Sequence, residues 1–130
     1  MRANGFAETS IATAGRAADG HLESIKRAIA AGVPLLCGTD LPPADDVGGL
    51  PATVVEMKLL EGAGLSRLGA LQTATTNPAR LMGVEGEIGQ ARPGFRADLV
   101  VVDDNPLDDL AALGNVRLVL QGGRPVKQAL

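Results

Sequence analysis

The stretch Val33-Pro34-Leu35-Leu36-Cys37-Gly38-Thr39-Asp40 carries an apolar run into a lone carboxylate, just before Leu41-Pro42-Pro43. An acid just past the carboxyl end of a buried parallel strand stands on the rim where α/β active sites are built. There Asp40 could bind a metal or move a proton. It could equally do no more than cap the loop that follows, and these residues alone leave both readings open. The other chemically capable residues carry weaker signals. Cys37, the only cysteine, cannot form an internal disulfide, and inside an apolar run it reads as a small buried hydrophobe. His21, the only histidine, stands at the start of an amphipathic helix, where an exposed or capping role is expected rather than ligation. Asp45 and Asp46 are adjacent acids in a loop, expected to be solvated, although they could lie at a substrate entrance.

These residues must be positioned by the elements around them. Residues 21–31 place Leu22, Ile25, Ala28 and Ile29 on one helical face, and Gly32 ends that helix. The run after it is too short and too uniformly apolar for a half-exposed strand, so it is expected to be a strand buried on both faces, as in parallel sheets. Helix, short loop and buried strand form the second half of a βαβ unit. After a Pro-, Gly- and Asp-rich loop over residues 41–50, Pro51 to Gly62 reads as a helix. Its apolar residues Val54, Val55, Met57, Leu59 and Leu60 are too many for one narrow stripe, so most of it should be covered. A third helix begins at the N-cap Ser66, with Leu68, Leu71, Ala70 and Ala74 toward the core. Asn77-Pro78 reads as the N-cap and first position of a fourth, closed by Gly83. From Gly86 the pattern turns extended: residues 97–102 and 116–121 are β-prone, and Gly122-Gly123 signals a hairpin into residues 124–127. A boundary is expected near residues 84–87.

The order GVPLLCGTD, an acid-containing helix, LQTATTNPARLMG and GEIGQARPGFRADLVVVDDNPL resembles the C-terminal part of the metal-dependent amidohydrolase superfamily, in its imidazolonepropionase-like and prolidase-like branch. The resemblance covers roughly residues 22–127. It implies an α/β fold: the end of a TIM (β/α)8 barrel in residues 1–85 and the C-terminal strands of a small composite β-sandwich in residues 86–130. It also implies hydrolysis of C–N bonds (amide, cyclic amide or dipeptide-type) in a small-molecule substrate, with a divalent metal, zinc, as cofactor. Asp40 would then touch one metal ion, orient the attacking water and relay its proton to the leaving group. The family's His-x-His pair and its further metal ligands have no counterpart here. A catalytic zinc typically takes about three protein ligands, and a full barrel about 250 residues, so the chain is expected to be a fragment that is inactive by itself. TATTNPARLMG and RPGFRADLVVVD, with Asp98, Asp103 and Asp104 nearby, read as structural. A strand ending in an acid pair also opens Mg²⁺-binding receiver domains, but only 24 residues follow Pro106, too few for their repeated βα units.

Composition agrees with an ordinary soluble domain. The 130 residues are 45% hydrophobic and 21% charged, with a net charge of -3 from 12 basic and 15 acidic residues. Scattered basic residues and 2% aromatics argue against a nucleic-acid partner. No stretch approaches the roughly 20 apolar residues of a membrane span, and residues 1–20 lack a signal-peptide core, so a cytoplasmic setting without membrane contact is expected. A competing reading is a non-catalytic helix and β module that needs a partner chain or forms a homo-oligomer, because a strand apolar on both faces needs neighbours.

Overall fold

The computed structural model of the chain describes residues 20–40 and 46–128. The chain divides into two compact units, residues 1–33 and 34–130. In the first, residues 20–30 form helix α1. It ends as its sequence predicts: Gly32 N–H donates to the Ile29 carbonyl and Val33 N–H to the Ala28 carbonyl, the paired bonds of a glycine-closed terminus. Ile25, Ala28 and Ile29 are half-buried, whereas Leu22 and His21 are exposed.

The second unit opens with residues 34–40, which join no sheet among the described residues. The expected strand buried on both faces is therefore not formed here, and Leu36 is 40% exposed. The physical reason is the want of a neighbour, since a strand is defined by the ladder it shares. A small hairpin follows, β1 (Asp46–Val47) and β2 (Leu50–Pro51), turning on Gly48-Gly49. Next come helices α2 (Ala52–Gly62), α3 (Arg67–Thr73) and α4 (Thr76–Leu81). Helix α2 buries Val54, Met57 and Leu60 but leaves Leu59 67% exposed, so it is covered on one side rather than nearly all round. Ser66 caps α3 as expected, its Oγ accepting from Gly69 N–H at 3.0 Å. Leu68 faces outward, and Ala70 and Thr73 are the buried residues of that helix.

Helix α4 starts two residues earlier than the Asn-Pro signal implies. Thr75 is its N-cap, Asn77 lies within its first turn, and Pro78 is tolerated there because its missing N–H would be unpaired anyway. Asn77 uses its side chain elsewhere, donating from Nδ2 to the Leu35 carbonyl at 2.9 Å. At the far end Gly83 and Val84 donate to the Arg80 and Ala79 carbonyls.

Strands β3 (Leu99–Val102), β4 (Val116–Gln121) and β5 (Arg124–Gln128) form an antiparallel sheet in that order. Gln121 pairs with Arg124 across a two-residue turn in which Gly122 and Gly123 have φ of 56° and 78°, the left-handed pair that matches strand twist and that side chains disfavour. Between β3 and β4 lies a 3-10 helix, Leu110–Gly114, capped by Asp109, whose side chain accepts from Ala111 N–H.

Val54, Met57, Ala70 and Leu110 form the buried cluster, with Cys37, Leu50, Leu71, Ala74 and Leu113 against it. Arg67 reinforces it from outside, pairing with Glu61 at 2.8 Å and donating to the Leu107 carbonyl at 3.2 Å. Leu110 is 0% exposed. Leu110→Ala should therefore lower unfolding free energy by about 2–5 kcal/mol. Leu59→Ala should stay within about 0.5 kcal/mol of the parent in the same urea titration.

Candidate functional site

Asp40 ends the apolar segment with its side chain exposed, and its φ is 53°. Among the described residues it alone combines positive φ with a side chain. That region costs roughly 1–2 kcal/mol for an ordinary L-residue, and Asp is among the few that visit it. Backbone held this way turns the chain sharply at Asp40. Such strain persists where surrounding structure over-determines it, and it gathers at functional sites.

Three contacts supply the surrounding structure. Cys37 N–H donates to the Thr73 carbonyl, the last residue of α3, at 2.9 Å. The Leu35 carbonyl accepts from Asn77 of α4. Gly38 N–H donates to Glu56 Oε1 of α2 at 2.9 Å. Each of three consecutive helices thus supplies one partner to a backbone that has no strand beside it. Glu56 Oε2 is buried and, in geometric terms, accepts no hydrogen bond among the described residues.

The Cys37 thiol points into this junction. Its Sγ lies 3.6 Å from the Thr53 carbonyl, one turn before Glu56 on α2. Burial first, and then the neighbouring Glu56 carboxylate, which favours the bound proton and disfavours a second negative charge, together push the thiol pKa up to about 12. Cys37 is accordingly a packing residue with a bound proton, not a nucleophile.

Two of the other acids are engaged elsewhere. Asp98 Oδ1 accepts from Gly122 N–H at 2.7 Å and so pins the β4–β5 turn. Asp103 pairs with Arg117 across β3 and β4, which raises the pKa of the guanidinium. Asp45 lies outside the described residues. A groove of about 330 Å³ between Arg92, Phe95, Arg96 and Leu99, with the Arg92 guanidinium 5.2 Å from the Phe95 ring centre, does not include Asp40. Among the described residues no three His, Cys, Asp or Glu side chains converge as a metal site. Asp40 is therefore not part of a completed metal site among the described residues.

Glu56 and Asn77 are the site residues that sequence reasoning passed over. Glu56 had a signal: it is an acid set between the core positions Val54 and Met57. Asn77 had none, because the Asn-Pro pair has a simpler local meaning as a cap.

The fold is shared with solved structures of known enzymes. The crystal structure of Aspergillus niger ochratoxinase superimposes with a TM-score of 0.77 and 32% identity, over 92% of this chain and 28% of that one. By sequence, ochratoxinase is 34% identical over 115 residues, 85% of this chain and 23% of the enzyme. A Xaa-Pro dipeptidase with bound methionine superimposes with a TM-score of 0.70 and 28% identity over 82% of this chain and 25% of that one. Imidazolonepropionase of Rubrobacter xylanophilus is 48% identical over 40 residues, 31% of this chain and 10% of the enzyme. The solved structures that the chain resembles place it in the α/β class. Residues 5–127 match the amidohydrolase family, and the chain belongs to it. It spans only about a quarter of the length of ochratoxinase.

The thiol has a testable consequence. Its folded pKa of about 12 lies above the ordinary value of 9.0. Proton uptake thus favours the folded state: the contribution is full below pH 9 and is lost as pH rises toward 12, where only the unfolded thiol ionises. Iodoacetamide at pH 8.5 should alkylate the folded chain much more slowly than the urea-unfolded chain, as followed by intact mass.

Proposed function

We propose that the chain is the C-terminal part of a metal-dependent amidohydrolase that cleaves C–N bonds in amide, cyclic amide or dipeptide-type small molecules. Residues 1–85 correspond to the end of a TIM barrel and residues 86–130 to the C-terminal strands of a composite β-sandwich. Leu110 of the second part reaches back into the cluster of Val54 and Met57. The observation that carries the reading is Asp40: an exposed carboxylate on a left-handed turn, braced by three helices, at the end of an apolar segment in a member of this family.

A divalent metal, zinc in this reading, would supply Lewis-acid activation of water when bound. Asp40 would hold it through one oxygen, take up the proton of the attacking water and return it to the departing amine. A carboxylate suits both halves of that exchange, since it is ionised at neutral pH and takes up a proton only transiently. The barrel strands that would bring the other ligands and the substrate loops lie on sequence outside these residues, so the isolated chain is inactive.

A second reading, a non-catalytic module that associates with a partner or with itself, is favoured by the exposure of Val100 and Val126, at 57% and 58%. Sedimentation equilibrium separates the two, since self-association would give a molar mass that rises with concentration.

Elemental analysis of the dialysed chain and of Asp40→Asn tests the first reading. Neither protein should retain stoichiometric metal, and neither should show metal-dependent hydrolysis of amide or cyclic imide substrates. Stoichiometric zinc lost in Asp40→Asn, together with hydrolysis by the parent chain, would show that a site is completed within this chain or between copies.

A further inference from the structure

The acceptor of Gly38 N–H is unusual for its place in the fold. A backbone donor at the end of an apolar segment ordinarily pairs with a neighbouring strand, whereas here it donates to a carboxylate oxygen, Glu56 Oε1, at 2.9 Å. Glu56 stands between Val54 and Met57, both 4% exposed, a position where an apolar or amide side chain would pack at lower cost in desolvation. Its second oxygen is buried with no hydrogen bond among the described residues, so packing alone does not account for an acid here. What the acid does gain is a charge-assisted bond to one specific backbone N–H.

The same helix face grips the residue before. Thr53 and Glu56 are three apart on α2, hence neighbours on its surface, and the Cys37 thiol lies 3.6 Å from the Thr53 carbonyl. On the other side Cys37 N–H is held by the Thr73 carbonyl. The peptide planes at Cys37 and Gly38 are thereby fixed from α2 and α3 together. Gly38, which has no side chain to restrict it, would otherwise be the freest joint between the core and Asp40. Two residues later the chain enters the left-handed conformation of Asp40.

We propose that Glu56 is a positioning residue for Asp40: by clamping Gly38 N–H it sets the backbone turn that presents the Asp40 carboxylate. Glu56 touches no reacting group and acts only through Gly38. Its part in catalysis rests on the reading of Asp40 as a site carboxylate, but the clamp itself does not.

The test is NMR on the isotope-labelled full chain, comparing Glu56→Ala, Glu56→Asp, Glu56→Gln and Asp40→Asn with the parent. The readouts are Gly38 amide exchange, the strong intraresidue amide-to-Hα NOE that marks positive φ at Asp40, and the thermal melt. Glu56→Ala removes the acceptor and Glu56→Asp withdraws it by one methylene. Each should speed Gly38 exchange by about tenfold or more and weaken the Asp40 NOE. Glu56→Gln keeps an acceptor oxygen and should keep both signals. Asp40→Asn should leave Gly38 exchange unchanged, because the clamp fixes the turn and not the reverse. Slow Gly38 exchange with a left-handed Asp40 in both the Ala and Asp variants would overturn the proposal. So would loss of both signals in Glu56→Gln, or Gly38 release in Asp40→Asn. Should Glu56→Ala fail to fold, the Asp and Gln variants decide. The clamp is read from Gly38 exchange and the Asp40 NOE alone, so failure of the reading of Asp40 as a site carboxylate leaves both signals unchanged, whereas failure of the clamp alters them.

Discussion

Residues 34–40 must satisfy their backbone polar groups without a strand beside them, and the structure around the candidate site follows from how they do so. A buried peptide N–H or C=O left unpaired costs about as much as a hydrogen bond is worth. The segment meets this by taking partners from helices: Thr73 at the end of α3, Asn77 in α4 and Glu56 in α2. Because those helices are already fixed against one another by Val54, Met57, Ala70 and Leu110, the tethers transmit the rigidity of the core to a chain with no strand beside it.

That arrangement explains why polar residues stand where apolar ones would pack. Glu56 and Asn77 each give up helix-surface or capping chemistry to reach across to the segment. The Cys37 thiol, held protonated by burial and by the nearby carboxylate, fills the space beneath without competing for the donors. Asp40 then emerges in a conformation that few side chains adopt, at the point where the tethers end. The strain is local, and the support for it is distributed over three helices.

The antiparallel sheet obeys simpler rules. β3, β4 and β5 are neighbours in sequence and in space, Gly122-Gly123 makes the turn that joins β4 to β5, and Asp98 and Asp103 act within the sheet as turn and cross-strand partners. It joins the core through the 3-10 helix, where Leu110 is fully enclosed. Val100 and Val101 remain open to solvent on successive residues of an edge strand, a surface that in a larger assembly would be covered.

Local chemistry was legible in the sequence wherever a short pattern has one physical meaning. The Ser66 cap, the glycine-closed ends of α1 and α4, the paired-glycine hairpin and the extent of β4 all follow from residues within a few positions of one another. The order of segments likewise pointed to the amidohydrolase family, because several motifs in sequence constrain one another more than any does alone. What the tertiary structure decided are the facts that depend on distant neighbours. The apolar run at 33–37 looks like a buried strand by composition, yet pairing needs a partner that composition does not supply. Leu59 and Leu68 are apolar and exposed because coverage of a helix depends on what is packed against it. Asn77 forgoes its cap, and Glu56 reaches Gly38, because the chain brings residues 35–38 beside two helices that lie far along the sequence. Hydrogen bonds between residues 18 and 42 apart leave no periodic trace in a linear chain, and only the folded core sets their distance.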